Sequence, residues 1–139
     1  MKPPSQNLHN KFMDGIRIFN KYIFNRITLA FTESGKGPFS VLYHIGRHSG
    51  RTYRTPVLAS YVDDAIIIPL SYGENVDWCR NVIAQGGCEI VHKNKRMSVR
   101  NPQVIDFAVG LEVLPDERRK LFERFKLEKF LRLQVNEEK

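Results

Sequence analysis

The residues best suited to chemistry lie in one short segment, Gly46-Arg47-His48-Ser49-Gly50-Arg51-Thr52-Tyr53-Arg54-Thr55-Pro56. It separates two β-like runs, residues 39–45 and 56–62. Glycines allow tight bends whose backbone N–H groups converge on an anion, and arginine side chains match phosphate oxygens in pairs. The segment therefore predicts a phosphate-binding loop, the alternative being a solvated basic hairpin. It fits neither G-x-x-x-x-G-K-[ST] nor a G-x-G-x-x-G sequence that opens a helix.

The net charge of the 139-residue chain is +7, and it is concentrated near the N-terminus. Residues 1–60 hold nine Lys and Arg against Asp14 and Glu33, whereas residues 61–92 hold Arg80 against five acids. This distribution is compatible with an anionic cofactor, a membrane surface or nucleic acid. Nucleic acid is the least favoured, because the loop lacks the interleaved aromatics that stack on bases.

The elements that must position this loop are mostly strands. We predict a flexible tail at residues 1–9 and a single domain over residues 10–139. A helix with apolar residues at helical spacing covers residues 12–30, ending at Gly35-Lys36-Gly37-Pro38. The predicted strands are residues 39–45, 53–62, 65–70, 88–92 and 96–104. Short turns at residues 62–64 and 93–94 favour an antiparallel sheet closed into a small barrel.

Helices are predicted in two further places. One covers residues 76–84, with Asn75 as its cap and Gly86-Gly87 as its end. The other region begins at Pro115 and Asp116, and a slip in apolar phase near Lys126 predicts a second helical piece with Leu127, Phe130 and Leu131 on its inner face.

Four motifs follow one another along the chain. They are Gly46-Arg47-His48-Ser49-Gly50 with Arg54-Thr55-Pro56, then Ile66-Ile67-Ile68-Pro69-Leu70 with Ser71-Tyr72-Gly73, then Val76-Asp77-Trp78-Cys79-Arg80-Asn81 with Gly86-Gly87, and Phe130-Leu131-Arg132-Leu133. In this order they resemble the deazaflavin-dependent nitroreductase family, a branch of the flavin and deazaflavin oxidoreductases. The resemblance implies an α+β, mainly β fold: an FMN-binding-like split β-barrel of five to six mostly antiparallel strands, flanked by N- and C-terminal helices.

The resemblance also implies a cofactor, coenzyme F420, and the residues that hold it. Its phosphate and neighbouring groups would lie against Arg47, His48, Ser49, Gly50, Arg51, Tyr53, Arg54, Thr55 and Pro56. The deazaflavin ring would lie along Pro69, Leu70, Ser71 and Tyr72, with Asp77, Trp78 and Asn81 closing the site. Apart from the resemblance, hydride delivery calls for a proton, which Tyr72, Tyr53 or Ser71 could relay, and Ser71 and Tyr72 are the candidate catalytic residues.

Two positions depart from the family pattern. Many relatives carry lysine where this chain has His48, and a histidine is a weaker fixed charge than a lysine. The family's frequent arginine aligns with Tyr53, and Arg54 follows one step later, on the opposite face of a strand. Arg51 and Arg54 therefore compete for the phosphate role.

Other chemistries find little support in the sequence. No His, Cys and acid cluster has metal-ligand spacing, so no metal site is predicted. Cys79 and Cys88 are interpreted as free thiols in a reducing, cytoplasmic setting. His44 is interpreted as a structural histidine.

We expect an oxidoreductase that transfers hydride from reduced F420 to a small nitro, quinone or enone acceptor. The sequence leaves open an FMN-dependent enzyme of the same fold, and a non-catalytic carrier of a lipid, haem or other hydrophobic ligand. It also allows a homodimer, and peripheral membrane contact through the basic helix at residues 12–30.

Overall fold

One antiparallel sheet organises the part of the chain that the structure describes. A computed structural model describes residues 38–125 and 127–136. The strands are β1 (Ser40–Ile45), β2 (Thr52–Val57), β3 (Ser60–Val62), β4 (Ala65–Pro69), β5 (Gly87–His92), β6 (Lys95–Asp106) and β7 (Lys129–Val135). The helices are α1 (Asp77–Gln85), α2 (Phe107–Val113) and α3 (Asp116–Glu123). The predicted tail and N-terminal helix lie outside the described residues.

The strand order is β2-β1-β5-β6-β7-β4-β3, and every neighbouring pair is antiparallel. The two edge strands, β2 and β3, follow one another in the chain with only Leu58 and Ala59 between them. The sheet therefore curls into a half-barrel whose edges are joined by this two-residue link. The predicted single strand over residues 53–62 is wrong, because the chain leaves one edge at Val57 and enters the other at Ser60. Pro56, which has no N–H to donate, lies in an edge strand.

The apolar side chains form two clusters on the two faces of the sheet. β4 shows why, since its successive residues point to opposite faces. Ile66 and Ile68 belong to the larger cluster, together with Leu42, Val82, Ile90, Val99, Leu131 and Leu133. Ile67 belongs to the smaller cluster, together with Leu114, Phe122, Leu127 and Phe130. β7 likewise contributes to both clusters, so β4 and β7 are buried on both faces.

Turns and helix ends largely follow the sequence. Lys93 and Asn94 have φ angles of 49° and 67°, and Asp63 has a φ of 54°, so the two predicted hairpin turns are confirmed. Gly86 ends α1 in the left-handed conformation with a φ of 79°. The cap residue of α1 is Val76 rather than Asn75, and it makes no side-chain capping bond.

The C-terminal part differs most from the prediction. The predicted last helical piece is a strand, β7, which pairs with β6 and β4 at the centre of the sheet. The described residues hold seven strands rather than five or six, and α2 was not predicted. None of the helices in residues 38–125 and 127–136 has the length and hydropathy needed to cross a bilayer.

Candidate functional site

A glycine-bounded loop joins β1 to β2. The Gly46 N–H donates to the Arg51 carbonyl at 2.8 Å, and the Gly50 N–H donates to the Gly46 carbonyl at 2.9 Å. Gly50 has a φ of 71°, which other residues rarely adopt. A Cβ on Gly46 would lie 2.5 Å from the Ser49 Oγ. Gly50 is therefore required by the backbone conformation, and Gly46 leaves room for the Ser49 and Tyr53 side chains. The loop presents Arg47 and Ser49 to the neighbouring cavity.

That cavity has a volume of about 380 Å³, and we call it the polar cavity. Its walls are the end of β1, the loop, β2 and the first turns of α1. The lining residues are His44, Gly46, Arg47, His48, Ser49, Tyr53, Arg54, Thr55, Asp77, Trp78 and Asn81. Two guanidinium groups, two imidazoles and several hydroxyls in one concave surface suit an anion such as a phosphate.

A chain of hydrogen bonds runs along one wall of the polar cavity. Asn81 Oδ1 accepts from Arg47 twice, from the backbone N–H at 3.1 Å and from Nη1 at 2.7 Å. The Asn81 Nδ2 lies 3.1 Å from His44 Nδ1, and His44 Nε2 lies 2.9 Å from Thr55 Oγ1. His44 and Asn81 are only 4% and 5% exposed, so this chain is shielded from solvent up to the hydroxyl of Thr55.

The buried imidazole of His44 is neutral at physiological pH. Burial lowers its pKa to about 4, and the negative charge of Asp77 opposes this only in part. The Tyr53 ring stacks beside it, with ring centroids 5.8 Å apart. His44 is thus the satisfied structural histidine predicted from the sequence, and it also lines the cavity.

Arg47 has an acidic partner at the cavity wall. Its Nη2 lies 3.1 Å from Asp77 Oδ1, and the two side chains are 20% and 84% exposed. Asp77 lies in the first turn of α1, where a carboxylate is favoured by the helix dipole. An anion entering the polar cavity would therefore meet Arg47 with part of its charge already compensated.

A second cavity of about 450 Å³ lies beside the first, and we call it the apolar cavity. Its lining residues are Phe39, Thr55, Pro56, Val57, Leu58, Pro69, Leu70, Ser71, Tyr72, Val76, Trp78, Phe122, Phe125 and Leu127. Thr55 and Trp78 line both cavities. A polar and an apolar compartment therefore meet at these two residues, with the flat indole of Trp78 as part of both walls.

Most of the predicted site residues lie in these two compartments. The polar cavity contains Arg47, His48, Ser49, Tyr53, Arg54, Thr55, Asp77, Trp78 and Asn81. The apolar cavity contains Thr55, Pro56, Pro69, Leu70, Ser71, Tyr72 and Trp78. Gly50 and Arg51 line neither. Of the two competing arginines, the structure thus brings Arg54 to the polar cavity, whereas Arg51 is exposed and lines neither cavity.

The sequence reasoning missed the aromatic end of the apolar cavity, formed by Phe122, Phe125 and Leu127. Phe122 lies at the end of α3, and Phe125 and Leu127 follow that helix. All three are far along the chain from the other lining residues, and nothing in the local pattern separates them from ordinary core residues. His44 carried a usable signal, since it lies two residues before Gly46 and faces Tyr53 across the β1–β2 pair.

Other reactive groups in the described residues lie away from this site. No group of three or more His, Cys, Asp and Glu in this part of the chain could hold a metal ion. Cys79 and Cys88 are free thiols, and burial raises their pKa values to about 11 and about 12. Ser40 contacts His92 at 2.9 Å, but the serine is fully buried and has no access to a substrate.

Comparison with known proteins gives the family. A family model described as F420H2-dependent quinone reductase matches residues 23–128, which is most of the chain. The chain belongs to the F420H2-dependent quinone reductase family. The match covers every residue that lines the two cavities, and it confirms the resemblance drawn from the motifs. Members of this family are reductases, so the family assignment indicates an enzyme.

The chain is similar to several solved structures at low sequence identity. A domain-swapped dimer is 14% identical, with a TM-score of 0.51, over 88% of this chain and 98% of that one. Atu2129 from Agrobacterium tumefaciens, of unknown function, is 14% identical with a TM-score of 0.49; 78% of this chain is covered but only 55% of that one. An FMN-binding protein from Syntrophomonas wolfei is 16% identical with a TM-score of 0.45, over 91% and 94%. No curated protein matched the chain in sequence.

Proposed function

We propose that this protein transfers hydride from reduced coenzyme F420 to a small organic acceptor of the quinone, nitro or enone type. One observation carries the proposal: a cationic polar cavity and an apolar cavity meet at Thr55 and Trp78. A cofactor with a phosphorylated tail and a flat ring needs these two environments side by side. The family to which the chain belongs is named for F420H2, and the curled antiparallel sheet supports the split β-barrel architecture.

The donor set of the polar cavity fits the anionic part of such a cofactor. Arg47 and Arg54 would face its phosphate with guanidinium groups, and Ser49 would add a hydroxyl. His48 is exposed and adds a further donor at the opening. Because Arg51 lies outside the cavity, we assign the second guanidinium to Arg54.

The apolar cavity fits the ring and the acceptor. Leu70, Trp78 and the aromatic end at Phe122 and Phe125 would exclude water from the faces of both reactants. When bound, the deazaflavin supplies a two-electron hydride donor, so the protein itself needs no redox group. The chain's task is to hold two flat molecules in contact and to keep the reacting faces dry.

Reduction of a quinone or enone by hydride leaves an anion that takes up one proton. Ser71 and Tyr72 carry the hydroxyl groups of the apolar cavity beside Leu70, and both are exposed, so they can exchange protons with water. We assign the proton delivery to this pair, in line with their position at the end of β4. Thr55, the remaining hydroxyl of the cavity, is bonded to His44.

A cofactor titration tests the proposal. Trp78 is the only tryptophan in the sequence and lines both cavities, so its fluorescence reports binding directly. We expect saturable quenching by F420 at lower concentrations than by FMN, followed by quinone-dependent oxidation of reduced F420. Tighter binding of FMN than of F420 would indicate that the protein is an FMN-dependent enzyme instead. Binding of a lipid or haem without turnover under either cofactor would indicate a carrier.

A further inference from the structure

The hydrogen-bond chain behind the polar cavity has a direction that the heavy-atom positions determine. Asn81 Oδ1 receives the Arg47 backbone N–H and the Arg47 Nη1. Both of these nitrogens can only donate, so the Asn81 atom that faces them must be the oxygen. The other end of the amide, Nδ2, is then a donor, and it lies 3.1 Å from His44 Nδ1.

The tautomer of His44 follows from this contact. Because Asn81 Nδ2 donates, His44 Nδ1 must accept with its lone pair, and a neutral imidazole then carries its proton on Nε2. The ring is only 4% exposed, so a charged form would lack solvation, and its lowered pKa of about 4 agrees with the neutral state. His44 Nε2 therefore donates to Thr55 Oγ1 at 2.9 Å.

The Thr55 hydroxyl thus receives one hydrogen bond and still has a proton of its own to donate. Within residues 38–125 and 127–136 no side-chain hydrogen bond from this hydroxyl to an acceptor is present besides the one with His44. Thr55 lines both cavities at their junction. Among the described residues no side chain takes this proton, which is consequently available to a bound molecule.

We propose that His44 and Asn81 are positioning residues that fix the Thr55 hydroxyl as a hydrogen-bond donor toward an anionic oxygen of the bound ligand. The four bonds run in one direction, from the Arg47 cation through Asn81, His44 and Thr55 to the ligand, and bonds in such a series strengthen one another. Thr55 then selects a ligand that presents an acceptor at the junction of the cavities. The assignment of that acceptor to a phosphate oxygen rests on the proposed function.

The tautomer is measured first, on the full-length protein without ligand. Long-range ¹H–¹⁵N NMR distinguishes the two neutral tautomers of a histidine, and His44→Gln identifies the signal. We expect the Nε2–H tautomer of His44 between pH 6 and 8. An Nδ1–H tautomer, or an imidazolium in this range, would overturn the proposal whatever cofactor the protein uses.

A matched pair of asparagine variants tests the direction of the chain. Asn81→Asp replaces the Nδ2 donor by an acceptor, so His44 Nδ1 must become protonated and its spectrum must change to the Nδ1–H tautomer or the imidazolium. Asn94→Asp makes the same charge change in the β5–β6 turn, where Asn94 is exposed, and is expected to leave the His44 spectrum unaltered. An unchanged spectrum in Asn81→Asp would contradict the proposal.

Thr55 variants test the donor itself. With F420 as the probe, Thr55→Val, which keeps the shape and loses the hydroxyl, is expected to bind about tenfold more weakly, the loss of a hydrogen bond to a charged group. Thr55→Ser is expected to restore most of the affinity. Equal affinity of wild type and Thr55→Val would overturn the donor role. If wild type does not bind F420 at all, the proposed function fails, and inorganic phosphate replaces F420 as the probe for the same comparison.

Discussion

At the scale of single residues, Arg47 connects the loop, α1 and the polar cavity. Its backbone N–H and Nη1 hold Asn81, and its Nη2 faces Asp77. One residue therefore both fixes the start of α1 against the loop and supplies positive charge to the cavity. Arg51, four positions along in the same loop, makes neither contact and lines neither cavity.

This difference predicts the effect of removing each arginine. Arg47→Ala is expected to weaken F420 binding by about 1.5 to 3 kcal/mol, the value of a charge-assisted hydrogen bond. Arg51→Ala removes the same charge from the same loop and is expected to leave the affinity nearly unchanged. Calorimetric titration of both variants measures the difference. Equal losses in the two variants would show that the loop acts only through its overall charge.

Removal of the Asp77 carboxylate is expected to strengthen cofactor binding, whereas removal of Arg47 weakens it. Its carboxylate competes with any bound anion for Arg47, and it is 84% exposed, so the folded protein can do without the pair. Asp77→Asn is expected to strengthen F420 binding by up to about fivefold, in keeping with the small energies of exposed ion pairs, and more at low salt. Asp63→Asn, the same change in the β3–β4 turn, serves as the control for net charge. Weaker binding by Asp77→Asn would mean that the carboxylate itself contacts the ligand.

Candidate site residues could be predicted from the sequence where side chains suited to anion binding lie close together in the chain. Arginine, serine and glycine close together in a β-hairpin indicated an anion site, and the polar cavity lies there. The choice between Arg51 and Arg54 was not predictable, because it depends on how Gly46 and Gly50 fold the loop. The aromatic end of the apolar cavity depends on where α3 packs, which no local pattern encodes.

At the scale of elements, β7 shows how a buried strand can resemble a helix. Phe130 and Leu131 are both fully buried although they point to opposite faces, because β7 lies between β6 and β4 with a core cluster on each side. Apolar residues on both faces obscure the two-residue period. The alternation of Leu131, Leu133 and Val135 was the signal for a strand, and the charged residues around it favoured a helix.

The short helix α2 was missed for a related reason. Its sequence, Phe-Ala-Val-Gly-Leu-Glu-Val, contains β-branched residues and a central glycine, which weaken the helical signal. Gly110 is buried, and a Cβ at that position would lie 2.3 Å from the Phe130 ring. The glycine is thus explained by close packing of α2 on β7 and not by helix propensity.

This packing predicts the outcome of a substitution in α2. Gly110→Ala should gain about 1 kcal/mol of helix propensity but lose more through the clash with Phe130, for a net destabilisation of about 1 to 3 kcal/mol. Phe130→Ala removes Cγ, Cδ2 and Cε2, the ring atoms that cause the clash. Urea unfolding of both single variants and the double variant is expected to show that the double variant loses less stability than the two losses added together. If the stability losses of the two single variants simply add in the double variant, the destabilisation by Gly110→Ala does not arise from the contact with Phe130.

At the scale of the whole molecule, the buried His44 couples stability to pH. Its pKa is about 4 in the folded protein and near 6.5 in the unfolded chain. Between these values the unfolded chain binds the extra proton, so the free energy of unfolding rises with pH and falls as the pH drops from 6.5 toward 4, by at most about 1.4 kcal/mol per pH unit.

Urea unfolding at several pH values measures this dependence, and His44→Gln is the comparison. The variant has no imidazole at this position, so its stability is expected to fall less steeply below pH 6.5. The pKa of His92 is lowered as well, and that contribution is retained in both proteins. Parallel curves for wild type and His44→Gln would contradict a neutral, buried His44.

The link at Leu58 and Ala59 has a consequence for how binding and folding are coupled. β2 is one edge of the sheet and β4 lies next to the other, yet Thr55, Pro56 and Val57 of β2 and Pro69 of β4 line the same apolar cavity. A molecule bound there lies at the opening of the half-barrel and contacts both β2 and β4, which are not hydrogen-bonded to each other. Saturation with such a molecule should therefore raise the melting temperature and slow amide exchange in β2 and β4 together.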